Sequence, residues 1–403
     1  ASGTTTTSAL AIRARGLQTG NSLLPLSVDS FTLVTDENHD TELPIVNDRD
    51  LLLTRWVDSG HLITLNAGII EVFENITWVA NVASDWALQV FDGALNPYAV
   101  VAKGAISVRL PSFSQDDEDG LTVDGRIRSY AGTMTLTADE MDFQGGQGSV
   151  QAPLALTIQS ATSVWSYRLG TAAEAQSGAP LSTVVAPNSL DLTTRDLAAL
   201  ADGFESITIG RSDAGNKMRI GDAYDMTVVK ATGVPRIQNA EIKDEITLWA
   251  EQFIVEGDFR VPDNPLTLHG RTLEVMRANL HTPENATPDS GLSATRTTLD
   301  ISEQVVVSGW VLGDDLVQID VPNSMGQNAI MNFSSGPNSV WTGVGSMIKT
   351  LNDGSVIQIT GTGSILHAST VEAAGAGSQL LMTAGTTFLQ REGGVLRVTG
   401  SGS

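Results

Sequence analysis

The sequence predicts an all-β fold, a coil of similar β rungs (a β-solenoid), and three observations predict it. The first is internal repetition. Thr135-Leu136-Thr137-Ala138-Asp139-Glu140-Met141-Asp142-Phe143-Gln144-Gly145 aligns with Thr247-Leu248-Trp249-Ala250-Glu251-Gln252-Phe253-Ile254-Val255-Glu256-Gly257, and the same offset sets Pro153-Leu154-Ala155-Leu156 on Pro265-Leu266-Thr267-Leu268. Related phrases recur at Thr64-Leu65-Asn66-Ala67 and Leu381-Met382-Thr383-Ala384. Self-similarity of this kind is a signature of stacked repeat units. The second observation is composition: 41% hydrophobic, 17% charged and 39 glycines describe many short strands separated by tight turns. The third is length, because 403 residues can extend as one solenoid in which each rung contacts only its neighbours.

In chain order, residues 1–110 carry the apolar stretches Leu51-Leu52-Leu53, Leu62-Ile63-Thr64-Leu65 and Ala99-Val100-Val101, and are expected to form the first rungs or an irregular cap. The open end of a β coil exposes backbone edges that invite aggregation unless covered. Residues 111–300 are expected to form the main coil, clearest at 121–160, where strands such as Met134-Thr135-Leu136 and Leu156-Thr157-Ile158 alternate with glycine-bearing turns. An insertion at 161–204 interrupts it. The insertion ends in Leu192 to Gly203, where one short helix is predicted near 194–202, lying on the coil as a decoration. Thr193 and Asp196 have capping-box spacing, Leu197 and Leu200 share a face, and Gly203 suits the left-handed residue that ends a helix. A polar loop is expected at 281–297, and residues 301–403 should form shorter, more regular rungs with no evident cap.

Charge narrows the partners. A formal net charge of −23 opposes binding to phosphate backbones, so nucleic acid is not an expected partner. The chain has no cysteine and hence no disulfide or thiol chemistry, which suits an exported bacterial protein. No stretch reaches the ~20 apolar residues of a membrane-spanning helix. The opening Ala1-Ser2-Gly3-Thr4 reads either as a mature terminus after cleavage or as a cut within a longer polypeptide.

The run Leu192 to Asp213, with Leu200-Ala201-Asp202-Gly203-Phe204-Glu205-Ser206-Ile207-Thr208-Ile209-Gly210-Arg211, resembles a phrase of filamentous-haemagglutinin-like bacterial surface proteins. The resemblance is strongest over residues 190–280. It implies a right-handed parallel β-helix, secretion or cell-surface display, and a structural or adhesive role. The family phrase continues into a glycine-rich acidic turn, whereas this chain has the less acidic Ala214-Gly215-Asn216-Lys217.

Few motifs carry chemistry. Asp116, Asp117, Glu118 and Asp119, with Asp124, are candidate calcium ligands, since Ca²⁺ takes oxygen ligands from acidic loops; a solvated surface loop is the commoner meaning of such a run. Asp36-Glu37-Asn38-His39-Asp40 is a second oxygen-rich loop without EF-hand spacing. Gly145-Gly146-Gln147-Gly148 approaches a calcium-roll repeat but reads better as a tight corner. Asp314-Asp315, or Asp213 with Asp222 and Asp225, are the pairs a glycosidase would use, although turn chemistry explains such acids sufficiently. Scattered Arg126, Arg128 and Arg168 make a poor basic cleft for a lyase. The five histidines show no His-x-x-x-His pair. The expectation is therefore a non-enzymatic, extracellular structural or adhesive module without a required cofactor. Its expected partners are copies of itself, further rungs of a longer chain, or surface glycans; a polysaccharide-degrading β-helix and a tailspike-like fibre are the alternatives.

Overall fold

Parallel ladders dominate the computed structural model, which describes residues 105–109, 121–123, 126–139, 141–163, 166–171, 189–213, 215–221, 239–276, 291–307, 310–321, 347–350, 355–361, 365–367, 370–373, 375–385, 388–390 and 394–399, with short segments at 339–342 and between 5 and 102. The chain forms two units, residues 1–165 with 173–209 and residues 166–172 with 210–403.

In the first unit the chain returns to the same ladder after visiting two others. Val100–Ala102 pairs with Ile127–Ser129, which pairs with Val150–Gln151. Ile106–Arg109 pairs with Met134–Thr137, which pairs with Leu156–Gln159. Leu88–Val90, Leu121–Val123 and Met141–Phe143 form the third ladder. Earlier strands enter the same ladders, Ile70–Val72 beside Val100–Ala102 and Ile76–Ala80 beside Ile106–Arg109. Alternation decides which side chains turn inward: Ile106, Met134, Leu156 and Ile207 lie in register and are at most 1% exposed, as are Leu136, Ile158 and Ile209 in the next column. Each fully buried aliphatic side chain contributes about 1.5–3 kcal/mol. Where the strands turn, Gly146 and Gly148 have φ of 85° and 69°, so the Gly145–Gly148 run is a tight corner.

The helix is shorter than expected and is woven into the corner. It spans Thr194–Ala199, with the predicted capping box between Thr193 and Asp196. Leu200 is already extended, at φ −68° and ψ 122°, because it bridges Val150, and the Ala201 N–H donates to the Val150 carbonyl at 2.9 Å. The sheet edge captures the chain before Gly203 (φ 115°) can end the helix. Leu197 is 3% exposed and Asp196 2%, so the helix does not sit on the coil as a decoration. Asp196 accepts hydrogen bonds from the Phe143 N–H at 2.8 Å and from the Thr193 N–H and hydroxyl at 2.8 and 2.6 Å, fastening helix to strand.

The second unit repeats the three-ladder plan with longer strands. Ile246–Trp249 pairs with Leu266–His269, which pairs with Thr297–Asp300. That ladder continues through Val317–Asp320 and Ile357–Thr360 to Leu380–Thr383. The strand Asp258–Val275 crosses all three ladders, breaking register between Val261 and Pro265 and between Gly270 and Thr272, where it rounds corners. The second corner requires glycine: a Cβ on Gly270 would lie 2.4 Å from the Ala250 carbonyl oxygen and 2.8 Å from the Phe253 ring. The polar stretch expected to be a loop to residue 297 is already strand from Gly291, because Leu292 (0% exposed) and Ala294 (6%) alternate inward.

All six positions singled out as inward, Leu136, Leu156, Leu248, Leu268, Phe143 and Val255, are fully buried. Leu154, which the repeat aligns with buried Leu266, is 38% exposed because it lies in the bend before the strand Leu156–Gln159. In the final rung the same columns surface. Leu396 and Val398 follow buried Val371 and Ala373 in register and are 38% and 39% exposed, and Phe388 and Leu389 are exposed beside them; Leu381, also exposed, lies on the outer face in register with Gln358. The chain is thus a nearly all-β protein of parallel ladders revisited rung by rung, an arrangement compatible with a β-solenoid.

Candidate functional site

The outward positions of the second unit form two adjacent columns, one of polar side chains and one centred on an aromatic stack. Residues 246, 248, 266, 268, 297 and 299 point inward, so Thr247, Thr267 and Thr298 align in register on the outer face, continued by Gln318 and Gln358. Two residues further along each strand, Trp249, His269 and Asp300 form the second column. The Trp249 and His269 rings stack with centroids 4.1 Å apart and planes inclined 18°. His269 Nδ1 lies 2.9 Å from Asp300 Oδ2, which fixes the imidazole against the indole.

Around the adjoining corner, Arg271 lies between two carboxylates, 2.8 Å from Glu251 and 3.3 Å from Glu303. These pairs are solvent-exposed, so they orient side chains more than they stabilise the fold. Glu251 occupies the repeat position of Asp139, but the two acids are used differently. Asp139 is fully buried in the first unit and accepts from the Thr162 N–H and hydroxyl at 2.7 and 2.6 Å.

Among the described residues, the acids and bases singled out from sequence do not converge. Asp116, Asp117, Glu118, Asp119, Asp124 and the Asp36–Asp40 loop lie outside the described residues, as do Asp222, Asp225 and His281. Asp213 is solvent-exposed in a turn, where two hydrogen bonds from the Arg211 guanidinium lower its pKa. Asp315 is exposed, and the Asp314 side chain lies outside the described residues. Arg128 stacks on Tyr130 at 4.4 Å rather than lining a cleft. Beside the strand Lys217–Ile220, Asn216 is buried, and its amide has no hydrogen-bond partner among the described residues. Those residues contain no group of three or more acidic or imidazole side chains placed to hold a metal.

The Trp249 column was missed by motif reasoning because its members belong to no motif. The signal that reveals it is the triplet Thr247-Leu248-Trp249, Thr267-Leu268-His269 and Thr298-Leu299-Asp300, one per rung. No family model, curated protein or solved structure matches this chain.

Proposed function

We propose that the chain is an extracellular structural and adhesive module of a bacterial surface or filament-forming protein, built as a right-handed parallel β-helix. The observation that carries this reading is the stacking of inward apolar side chains in register along parallel ladders, Leu248, Leu268 and Leu299 among them. The column fully buried at Ile348 and Val371 continues to Leu396 with 38% exposure, and the consecutive strands Phe388–Gln390 and Val395–Val398, each paired with a strand of the rung before, also expose Phe388, Leu389 and Val398. Parallel ladders of this kind grow by adding rungs, which another copy or a longer chain can supply. The similarity of the Leu192–Asp213 run to filamentous-haemagglutinin-like proteins supports display at the cell surface, and the acidic, cysteine-free composition suits that setting.

Light scattering at several protein concentrations tests stacking between copies. A net charge of −23 makes copies repel one another, so association should rise with concentration and strengthen as salt shortens the reach of that repulsion. A single size at all concentrations and salt levels would overturn self-assembly.

A further inference from the structure

We infer that the outer face of the second unit is a binding surface for an extended, uncharged saccharide chain lying along the ladder. The inference deepens the adhesive reading above and rests on it. Threonine in an outward strand position needs no ligand to explain it, since β-branched residues fit a pleated surface. This face has more. The hydroxyls of Thr247, Thr267 and Thr298 and the amides of Gln318 and Gln358 make no side-chain hydrogen bond among the described residues. They therefore form a row of groups able both to donate and to accept, repeating at the strand spacing of about 4.7–4.9 Å. That repeat is close to the length of one pyranose unit in an extended chain.

Beside the row stands an indole, in a protein with only 5% aromatic residues. A pyranose has an apolar C–H face and a hydroxyl periphery; because the Trp249 and His269 rings stack from rung to rung, the free indole face looks towards the Gly210 rung and takes the C–H face of a terminal pyranose unit, while the hydroxyl row takes the periphery of the units that follow. His269 backs one side of the Trp249 ring and sets its plane. Gly210 lies against the Trp249 backbone, where even a Cβ would come within 2.0 Å of the carbonyl oxygen, so that position contributes no side chain beside the indole. The ladders fix the backbone spacing of the columns and threonine is restricted at χ1, so the ordering cost of binding falls mainly on Gln318 and Gln358.

Charge selects among saccharides. Asp300, Glu251 and Glu303 outnumber Arg271 at the adjoining edge, and the whole chain carries −23. Uronate and sulfated polymers are repelled by such a field, whereas neutral chains are not.

The test titrates the full 403-residue chain by calorimetry with cellohexaose, mannohexaose and xylohexaose, and with a galacturonate hexamer as the charged control. At least one neutral hexamer should bind, and the galacturonate hexamer more weakly. Trp249→Ala should weaken the neutral ligand about tenfold, Trp249→Phe should recover most of it, and Thr267→Val should weaken it severalfold. Unfolding midpoints of the variants, measured alongside, separate lost binding from lost folding. Absence of binding by every neutral hexamer at millimolar concentration would overturn the inference, as would a ligand bound equally by wild type and a folded Trp249→Ala variant. If the chain still associates with concentration while binding none of them, the scaffold reading stands and only the saccharide surface is lost.

Discussion

Asp196 is the residue whose chemistry is most constrained. Burial pushes its carboxyl up to about 6 from 3.8; the Thr193 hydroxyl and the Phe143 N–H oppose the rise, and the charge of Asp142 adds to it. Because the folded-state value is raised, the stabilising contribution is complete below the unfolded value near 3.8 and is lost as pH rises through about 6. The melting temperature of wild type should therefore fall between about pH 4 and pH 7 relative to Asp196→Asn, which cannot titrate there. A pH dependence that is the same in both proteins would show that the pKa of this carboxylate is not raised in the folded state. Thr193 and Asp196 were recognisable in the sequence because capping-box spacing is local. The Phe143 N–H that Asp196 also binds lies 53 residues away, and no local pattern announces it.

At the scale of the rung, the sequence alternation determines which side chains face inward, and stacking determines how much each is worth. Leu268 is sandwiched in register between Leu248 and Leu299, all three fully buried, whereas Leu396 ends its column at 38% exposure. Leu268→Ala should cost about 2–5 kcal/mol in urea denaturation. In dilute protein, Leu396→Ala should stay within about 0.5 kcal/mol of wild type. Equal losses at the two positions would contradict a core built by stacking. The repeat made the inward leucines legible because period-two alternation survives any slip by an even number of residues. Alternation does not extend back to Leu154, since a bend breaks it without changing composition. Alternation was missed in the strand beginning at Gly291, where polar outward residues masked the inward Leu292 and Ala294. The polar and aromatic columns on the outer face were harder still to read. They are made of residues ordinary in themselves, and only the register between rungs brings them together.

For the whole molecule, 403 residues with a −23 charge and no cysteine depend for stability on apolar columns repeated along the chain. Both units follow the same local plan of three parallel ladders, and the account of function depends on that plan being a coil whose final rung accepts another. Acidic composition keeps such a surface soluble through repulsion between copies, while the exposed Phe388, Leu389, Leu396 and Val398 favour contact. On the reading proposed above, the balance between the two would set the conditions for assembly. The most direct measurement is electron cryomicroscopy of the protein at high concentration and salt. The account predicts right-handed parallel rungs with Leu248, Leu268 and Leu299 in one inward column, and with the rung at 379–398 covered by another molecule. Antiparallel pairing of these strands, or isolated molecules whose last rung remains bare under those conditions, would contradict it.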